Sequence, residues 1–456
     1  MAAWLAGLTL LLFAGLFPLG HWYSDEYDIF HDMALQGGAA SWHRFWVWSP
    51  RPVSELLIHL YGRLVLATGR AWIPELLLFS LLWLLAAATM PLWRVAAGAG
   101  RHWLPLTLTV CAMCLSGHAV ARVFYWPVAS LAYVLTLAGV MGVFAEHLRP
   151  GAQVRSWVCG GWLLLAALSS EIGAMFALIH GLLSLCRSRR GGWALLPSLL
   201  GAGLVLGLML SHRAGGVVEQ IPGAGPVHQL WSSLRASVTT SWPHLWFAAG
   251  DAGVAATLQV VSKLALLGAA AGLAVGQGLP LTRRRGLWVL AAGAAAMVPA
   301  TIFAAWYQFG QLCCEHHDTV RQCFMVLALA AFGAGLGLTL EAAGCNAPLL
   351  QRLAPWLLCL ALGTALAVSA PPMWADYRQY AQRYRLQQEN WASGEAADPQ
   401  LTIRQWPPGR LTGGSPPMPA GSFGDGVPVP AGADHQRRFF GKRTVRVEAP
   451  SALSSP

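Results

Sequence analysis

Run after run of roughly 20 mostly apolar residues fills the chain up to about position 372, and that is the length needed to cross the hydrocarbon of a bilayer. About eleven such segments can be placed. They lie near 3–20, 72–93, 104–121, 126–145, 157–171, 173–186, 193–211, 256–278, 286–305, 323–343 and 354–371. Lipid offers the backbone no hydrogen-bond partners, so the spanning form expected is the α-helix. The expected fold is an all-α polytopic membrane protein of about 11 transmembrane helices. Composition agrees: charged residues make up 11% of the chain, against roughly 25% in a soluble domain. The first segment carries no Lys or Arg at its amino end and no A-x-A site follows it, so it reads as a retained helix rather than a cleaved leader.

The arginines set an orientation. With the amino terminus inside, the even-numbered turns hold Arg94 and Arg101, Arg149 and Arg155, then Arg187, Arg189 and Arg190. Arg283, Arg284 and Arg285 follow, and Arg352 comes last, with only Glu146 and Glu341 opposing them. Basic inside loops are the expected pattern of a membrane protein. Most of the +10 net charge is therefore topology, and no nucleic-acid partner is implied. The same orientation puts residues 21–71, residues 212–255 and the tail outside. Division into a membrane part, 1–372, and an outside tail, 373–456, follows. The tail opens with the helical "MWADYRQYAQRYRLQQENW", continues through a Pro/Gly-rich loop and ends near the strand-like "RTVRVEAP". Nine cysteines form no framework. Cys111 and Cys114 sit within a membrane helix as small apolar residues, and Cys313 and Cys314 stay unassigned.

Directly after the first apolar segment, "WYSDEYDIFHDM" places Asp25, Glu26, Asp28 and Asp32 close together. Asp25, Asp28 and Asp32 share one helical face, where they repel unless a cation, a proton or a basic side chain answers them. Acids at a helix amino end also answer its dipole. What favours a functional reading is their position at the membrane surface of a chain that uses charge sparingly. The rest of this loop reads as interfacial, two helices in all. Trp42, Trp46 and Trp48 suit the headgroup level, Pro50 and Pro52 flank Arg51, and a helix is expected from Ser54 to about Thr68.

"SDEYD" followed by "WSPRPVSELL" resembles the first loop of the GT-C class of integral-membrane glycosyltransferases, in a bacterial subgroup that uses polyprenyl-phosphate sugars. "RVFYWPVASLAYVL" is similar to that subgroup's approach to its fourth helix, and "SSEIGA" to the acid at its fifth-to-sixth helix turn. "DHQRRFFGKRTVRV" is weakly similar to its carboxy end. The resemblance implies an inverting transfer of sugar from a polyprenyl-phosphate donor to a glycan or lipid acceptor of the cell envelope. It makes Asp25 the base, with Glu26 positioning it or the acceptor, and Asp28 as a substitute for either. It leaves a divalent cation, Mg or Mn, as an open question. The chemistry is coherent: a carboxylate takes the proton of an attacking hydroxyl, and cationic groups stabilise the departing lipid phosphate.

Arg51, Arg122 and the stretch "YQFGQLCCEHHDTVRQ" are the candidates for the phosphate, headgroup anchoring being the alternative for both arginines. In the last, read as a loop before the tenth helix, adjacent His316 and His317 are expected to point different ways. One of them would act with Arg321. Lys263, one of two lysines, falls inside the eighth segment, where an ionisable group faces a cavity or a partner, or snorkels outward. Glu171 is a pocket acid or the pair of a nearby Arg. Tyr125, Trp126 and Trp306 are the aromatics placed to stack on sugar. A polysaccharide polymerase or ligase would place its key residues in one large late loop, and the late loops here are short. A lipid-linked glycan flippase would need ionisable groups along a path through the bilayer, where Lys263 is nearly alone. Arg-over-Lys usage with abundant Ala and Gly suggests a GC-rich bacterial genome, hence the inner membrane with the tail periplasmic. A label attached after Pro456 is therefore expected to react with a membrane-impermeant reagent from the periplasm of intact cells. Protection there would invert the orientation.

Overall fold

The protein was analysed as a computed structural model. It describes all residues except 69–71, 94–101, 118, 151–153, 188–191, 215–225, 248–251, 276–280, 313–314, 346, 407–408, 415–417 and 450–456. Arg94, Arg101, Arg189, Arg190, Cys313 and Cys314 lie outside the described residues.

Eighteen helices and three short strands are described. The first loop follows α1 (Ala2–Ala14) and holds α2 (Ser24–Gln36), α3 (Gly38–Val47) and α4 (Pro52–Thr68). Next come α5 (Ile73–Trp93), α6 (Leu104–Leu115), the single turn α7 (Ala121–Phe124) and α8 (Pro127–Leu148). They are followed by α9 (Ser156–Ser169), α10 (Glu171–Arg187), α11 (Leu196–Ala214) and α12 (Pro226–Trp246). The last long helices are α13 (Gly253–Ala274), α14 (Leu281–Phe309), α15 (Glu315–Ala342) and α16 (Pro348–Arg378). The tail adds α17 (Tyr380–Glu395), β1 (Gln400–Arg404), β2 (Gly421–Phe423), α18 (Ala431–Phe439) and β3 (Thr444–Glu448).

Eight of these helices are long and apolar enough to cross a membrane, and α6, α9 and α10 are shorter apolar helices. The protein is thus a polytopic, mainly helical membrane protein. At its centre stands α8, all 22 residues of which are buried. A helix that is apolar all round has no face to give to solvent or lipid and belongs inside a bundle. Its neighbours approach through small residues: a Cβ on Gly139 would collide with the backbone of Trp162 in α9. On the other side of the bundle, Gly333 and Gly337 of α15 bring that helix against the carbonyls of Leu267 and Ala271 in α13. Close backbone approach of this kind replaces the hydrophobic drive that helices lack in lipid.

The two ends of the bundle differ. At the carboxy end of α8, buried Glu146 accepts hydrogen bonds from Arg149 (3.0 Å) and Arg155 (2.7 and 3.0 Å), while Arg283 donates to its carbonyl (2.6 Å). Cations there also suit the negative end of the helix dipole. The opposite end carries the first loop and the tail. Expected as two helices, the loop has three, because Gly37 at φ +60° turns the chain sharply between α2 and α3. Pro52 opens α4, where a missing N–H costs nothing, and buried Ser54 donates to the Leu131 and Ser169 carbonyls. The stretch 212–255, expected as loop, contains α12. Its polar residues hid it: Gln229 donates to the carbonyl of Tyr307 and Ser237 to that of Pro299, seating it along α14.

The tail departs from an all-α plan. Strands β1 and β3 pair in parallel and β2 joins β3 antiparallel, in the order β1-β3-β2. It is also not a separate appendage, since α16 runs through position 372 to Arg378. Asp376 there is buried and accepts the N–H groups of Arg410 (2.8 Å), Leu411 (3.1 Å) and Thr412 (2.7 Å) as well as the Thr412 hydroxyl. Buried Arg383 completes the clasp, 3.4 Å from Asp376 and donating to the carbonyl of Gly413. Asp376→Ala strands the Arg383 charge, a defect of roughly 3–5 kcal/mol. The variant is expected to show a lowered Tm and faster proteolysis of the tail; wild-type behaviour in both would mean the clasp does not hold the tail.

Candidate functional site

The site begins at the first turn of α2. Tyr23, extended at φ −89° and ψ 179°, precedes the helix, and the Glu26 side chain folds back to accept its N–H at 3.0 Å. The same carboxyl reaches the N–H of Val128 at 3.4 Å, an open donor in the first turn of α8. Helix amino ends leave such donors without partners inside the helix, so one acid side chain serves two helices at once. Glu26 is completely buried. Burial pushes its pKa up to about 8; the nearby Trp126 indole works against that rise and the charge of Asp25 adds to it. It is a positioning group with no surface open to an acceptor.

Asp25, next along the chain, faces outward and makes no hydrogen bond or ion pair with a described residue. Asp28 is answered from the far end of the sequence by Arg438, at 2.8 Å. The tail thereby relieves part of the repulsion that the acidic face implied. Around them, Phe439 packs on Trp22 and Tyr27, tying α18 to α2.

From Tyr23 a chain of rings and charges runs across the first-loop ends of α2, α4, α7, α8, α10 and α15. The Arg122 guanidinium lies 4.7 Å over the Tyr23 ring and pairs with Glu315 at 3.2 Å. Tyr23 tilts against Trp126 (4.9 Å), and Trp126 meets the edge of His316 (6.0 Å). His316 stacks on Tyr133 at 5.1 Å, and the Tyr133 hydroxyl lies 3.4 Å from the His317 ring. Arg51 covers the same tyrosine at 5.6 Å and grips Glu171 through two hydrogen bonds of 2.6 and 2.7 Å. Burial works against the Arg51 charge, and the Glu171 carboxylate more than offsets it, raising the pKa. The pair stays part-exposed, at 22% and 17%. Seven of the expected residues thus gather here, Glu26, Arg51, Arg122, Trp126, Glu171, His316 and His317, with Asp25 next to Glu26 in the chain.

Others are placed elsewhere, or differently. His316 and His317 were expected in a loop and pointing apart. They open α15 instead, their rings 4.4 Å apart and both turned to Tyr133. Tyr125, expected to stack on sugar, is wholly buried and donates to the carbonyl of Phe13 at 2.8 Å, so it has no open face. Arg321 is buried and engages Asp318 (3.3 Å), which also meets His244 (3.1 Å). Lys263 is buried too. It donates to the carbonyls of Leu245 and Trp246 and to Gln322, capping the carboxy end of α12 with a cation. The cap gives this cation its partner, and Lys263 also lines a small cavity with Gln259 and Gln322. Missed by sequence reasoning was Tyr133, although it lies two helical turns after Trp126, the spacing that repeats a face.

Among the described residues, no three of His, Cys, Asp and Glu converge as a metal site. No family model matches the chain, and neither a curated protein nor a solved structure matches it.

Glu26 carries a pH signature. Its pKa is raised from 4.5 to about 8, so the folded state holds the proton more tightly than the unfolded chain. This contribution to stability is complete below pH 4.5 and is lost as the pH rises through about 8. The wild-type Tm is expected to fall between pH 6.5 and 9 more steeply than that of Glu26→Gln, which cannot ionise. Parallel curves would deny the buried carboxyl its proton.

Proposed function

We propose that the protein is an inverting glycosyltransferase that moves a sugar from a polyprenyl-phosphate donor to a hydroxyl of a cell-envelope glycan or lipid. Its setting in this reading is the bacterial inner membrane, with the site and tail on the periplasmic face. The orientation rests on the arginines gathered about Glu146 at the other end of α8, the charge bias of a cytoplasmic end.

The observation that carries the reading is the contrast within one acidic pair: Glu26 buried and committed to backbone, Asp25 exposed and uncommitted. In this reading Asp25, exposed and without a partner among the described residues, is a base awaiting a proton. Asp25 takes the proton of the acceptor hydroxyl as that oxygen bonds to the anomeric carbon. The bond from that carbon to the phosphate oxygen breaks at the same time, and the lipid phosphate leaves with the electron pair. Arg122, 34% exposed, is the cation best disposed to meet that phosphate. Trp126, Tyr133 and His316 form the aromatic wall beside it. The Arg51–Glu171 pair holds that wall and presents a guanidinium edge, and Arg321 and Lys263 act as framework.

Asp25→Asn is expected to lower sugar transfer by about 10²–10⁴-fold, the usual worth of a general base, with membrane insertion and Tm unchanged. The assay compares envelope glycans of a deletion strain carrying the wild-type or the variant gene. Near-normal transfer by the variant removes Asp25 from its role. Glycans identical in deletion strain and parent would sink the enzyme class itself.

A further inference from the structure

A cavity of ≈ 170 Å³ separates the tail from the membrane part. Its floor is the turn after α1, with Pro18 and Gly20, and the start of α5, with Ile73 and Pro74. Trp22, just before α2, and Tyr27 of α2 form one flank; α17, Trp406 and α18 close over it. Asp25 and Glu26 are not among its walls. A water takes about 30 Å³ in the liquid and a cavity of about 150 Å³ takes up benzene, so this one has room for roughly half a dozen waters or one pyranose-sized ring.

Its chemistry is specific. Aromatic faces come from Trp22, Trp391, Trp406 and Tyr384, and amides from Gln388 and Gln436. Neither amide is engaged by a described side chain or backbone group, and the buried indole N–H of Trp406 has no acceptor among the described residues. Besides its tyrosines, three ionisable side chains line it, exposed Glu75, Arg404 and His21, and the one carboxylate repels anions. Arg404 is held by Glu389 and Glu448. Burial, with the charge of Arg383, brings His21 down to about 3, so it is neutral. Phosphates and carboxylates find no open cation in this lining. Flat rings accept the C–H faces of a sugar, while unengaged amides and an indole donor meet hydroxyls; a pocket built from apolar walls and a few placed polar groups is how small ligands are oriented.

We propose that this cleft between tail and membrane is a binding site for an uncharged saccharide unit presented at the membrane surface. The claim stands on the cleft alone and is independent of the transferase reading.

The test uses the full-length protein in lipid nanodiscs. It is titrated calorimetrically with a panel of octyl glycosides below their micellar concentrations: glucoside, galactoside, mannoside and N-acetylglucosaminide. Empty nanodiscs are subtracted, and octanol and the free sugars serve as comparison ligands. At least one glycoside is expected to bind, and the Gln388→Ala/Gln436→Ala double variant to weaken it about tenfold, the worth of two modest hydrogen bonds. Trp406→Phe, which keeps a ring and removes the N–H, should weaken it too, whereas Asp25→Asn should bind as the wild type does. Tighter binding of the glycoside than of the free sugar assigns the cleft to a lipid-linked glycan; equal binding assigns it to a soluble one. The proposal fails if no glycoside binds, if octanol competes as well as the glycoside, or if both cleft variants bind like the wild type while keeping its Tm.

Discussion

One buried carboxyl organises the outer end of this protein. Glu26 accepts the N–H of Tyr23 and reaches that of Val128, so the first turn of α2 and the first turn of α8 share a single partner. Two helix beginnings that would otherwise meet with unsatisfied donors are locked in register. Helix α8 is the enclosed post of the bundle, so a loop helix tied to its tip takes its position from the core itself. Asp25 is thereby placed next to a rigid support, as its proposed role as base requires.

The same economy governs the other buried ionic groups. Arg51 grips Glu171, Asp376 and Arg383 clasp the tail, Glu146 gathers Arg149 and Arg155, and Lys263 caps α12. Each spares an ion the large cost of standing alone in a medium without water. Against this pattern Asp25 has no such partner among the described residues, and Arg122 remains one-third exposed despite Glu315.

Much of this plan was legible from residue order. The lengths of the apolar runs announced the membrane helices, the arginines marked one end, and the 3.6-residue spacing of Asp25, Asp28 and Asp32 put them on one helix. The strand at "RTVRVEAP" was legible from alternation. Other features were not. Nothing in "YSDE" says that Glu26 will face inward, because its second partner, Val128, lies a hundred residues on. Helix α12 escaped because its apolar face is interrupted by serines and glutamine that pair with α14 backbone. Tyr125 and Tyr133 look alike in sequence, yet one is locked to Phe13 and the other faces the cluster.

Residue order by itself determined that the chain is a polytopic membrane protein and which end gathers cations, since segment length and charge bias act locally along the chain; of the eleven expected spans, eight are helices long and apolar enough to cross. Only the tertiary structure decided which charges are spent on one another. Pairings such as Arg51 with Glu171, Asp28 with Arg438 and Asp376 with Arg383 depend on distances between helices that sequence spacing does not contain. Which acid is enclosed and which is free follows from those pairings, because burial is a property of the packed bundle and not of the residue.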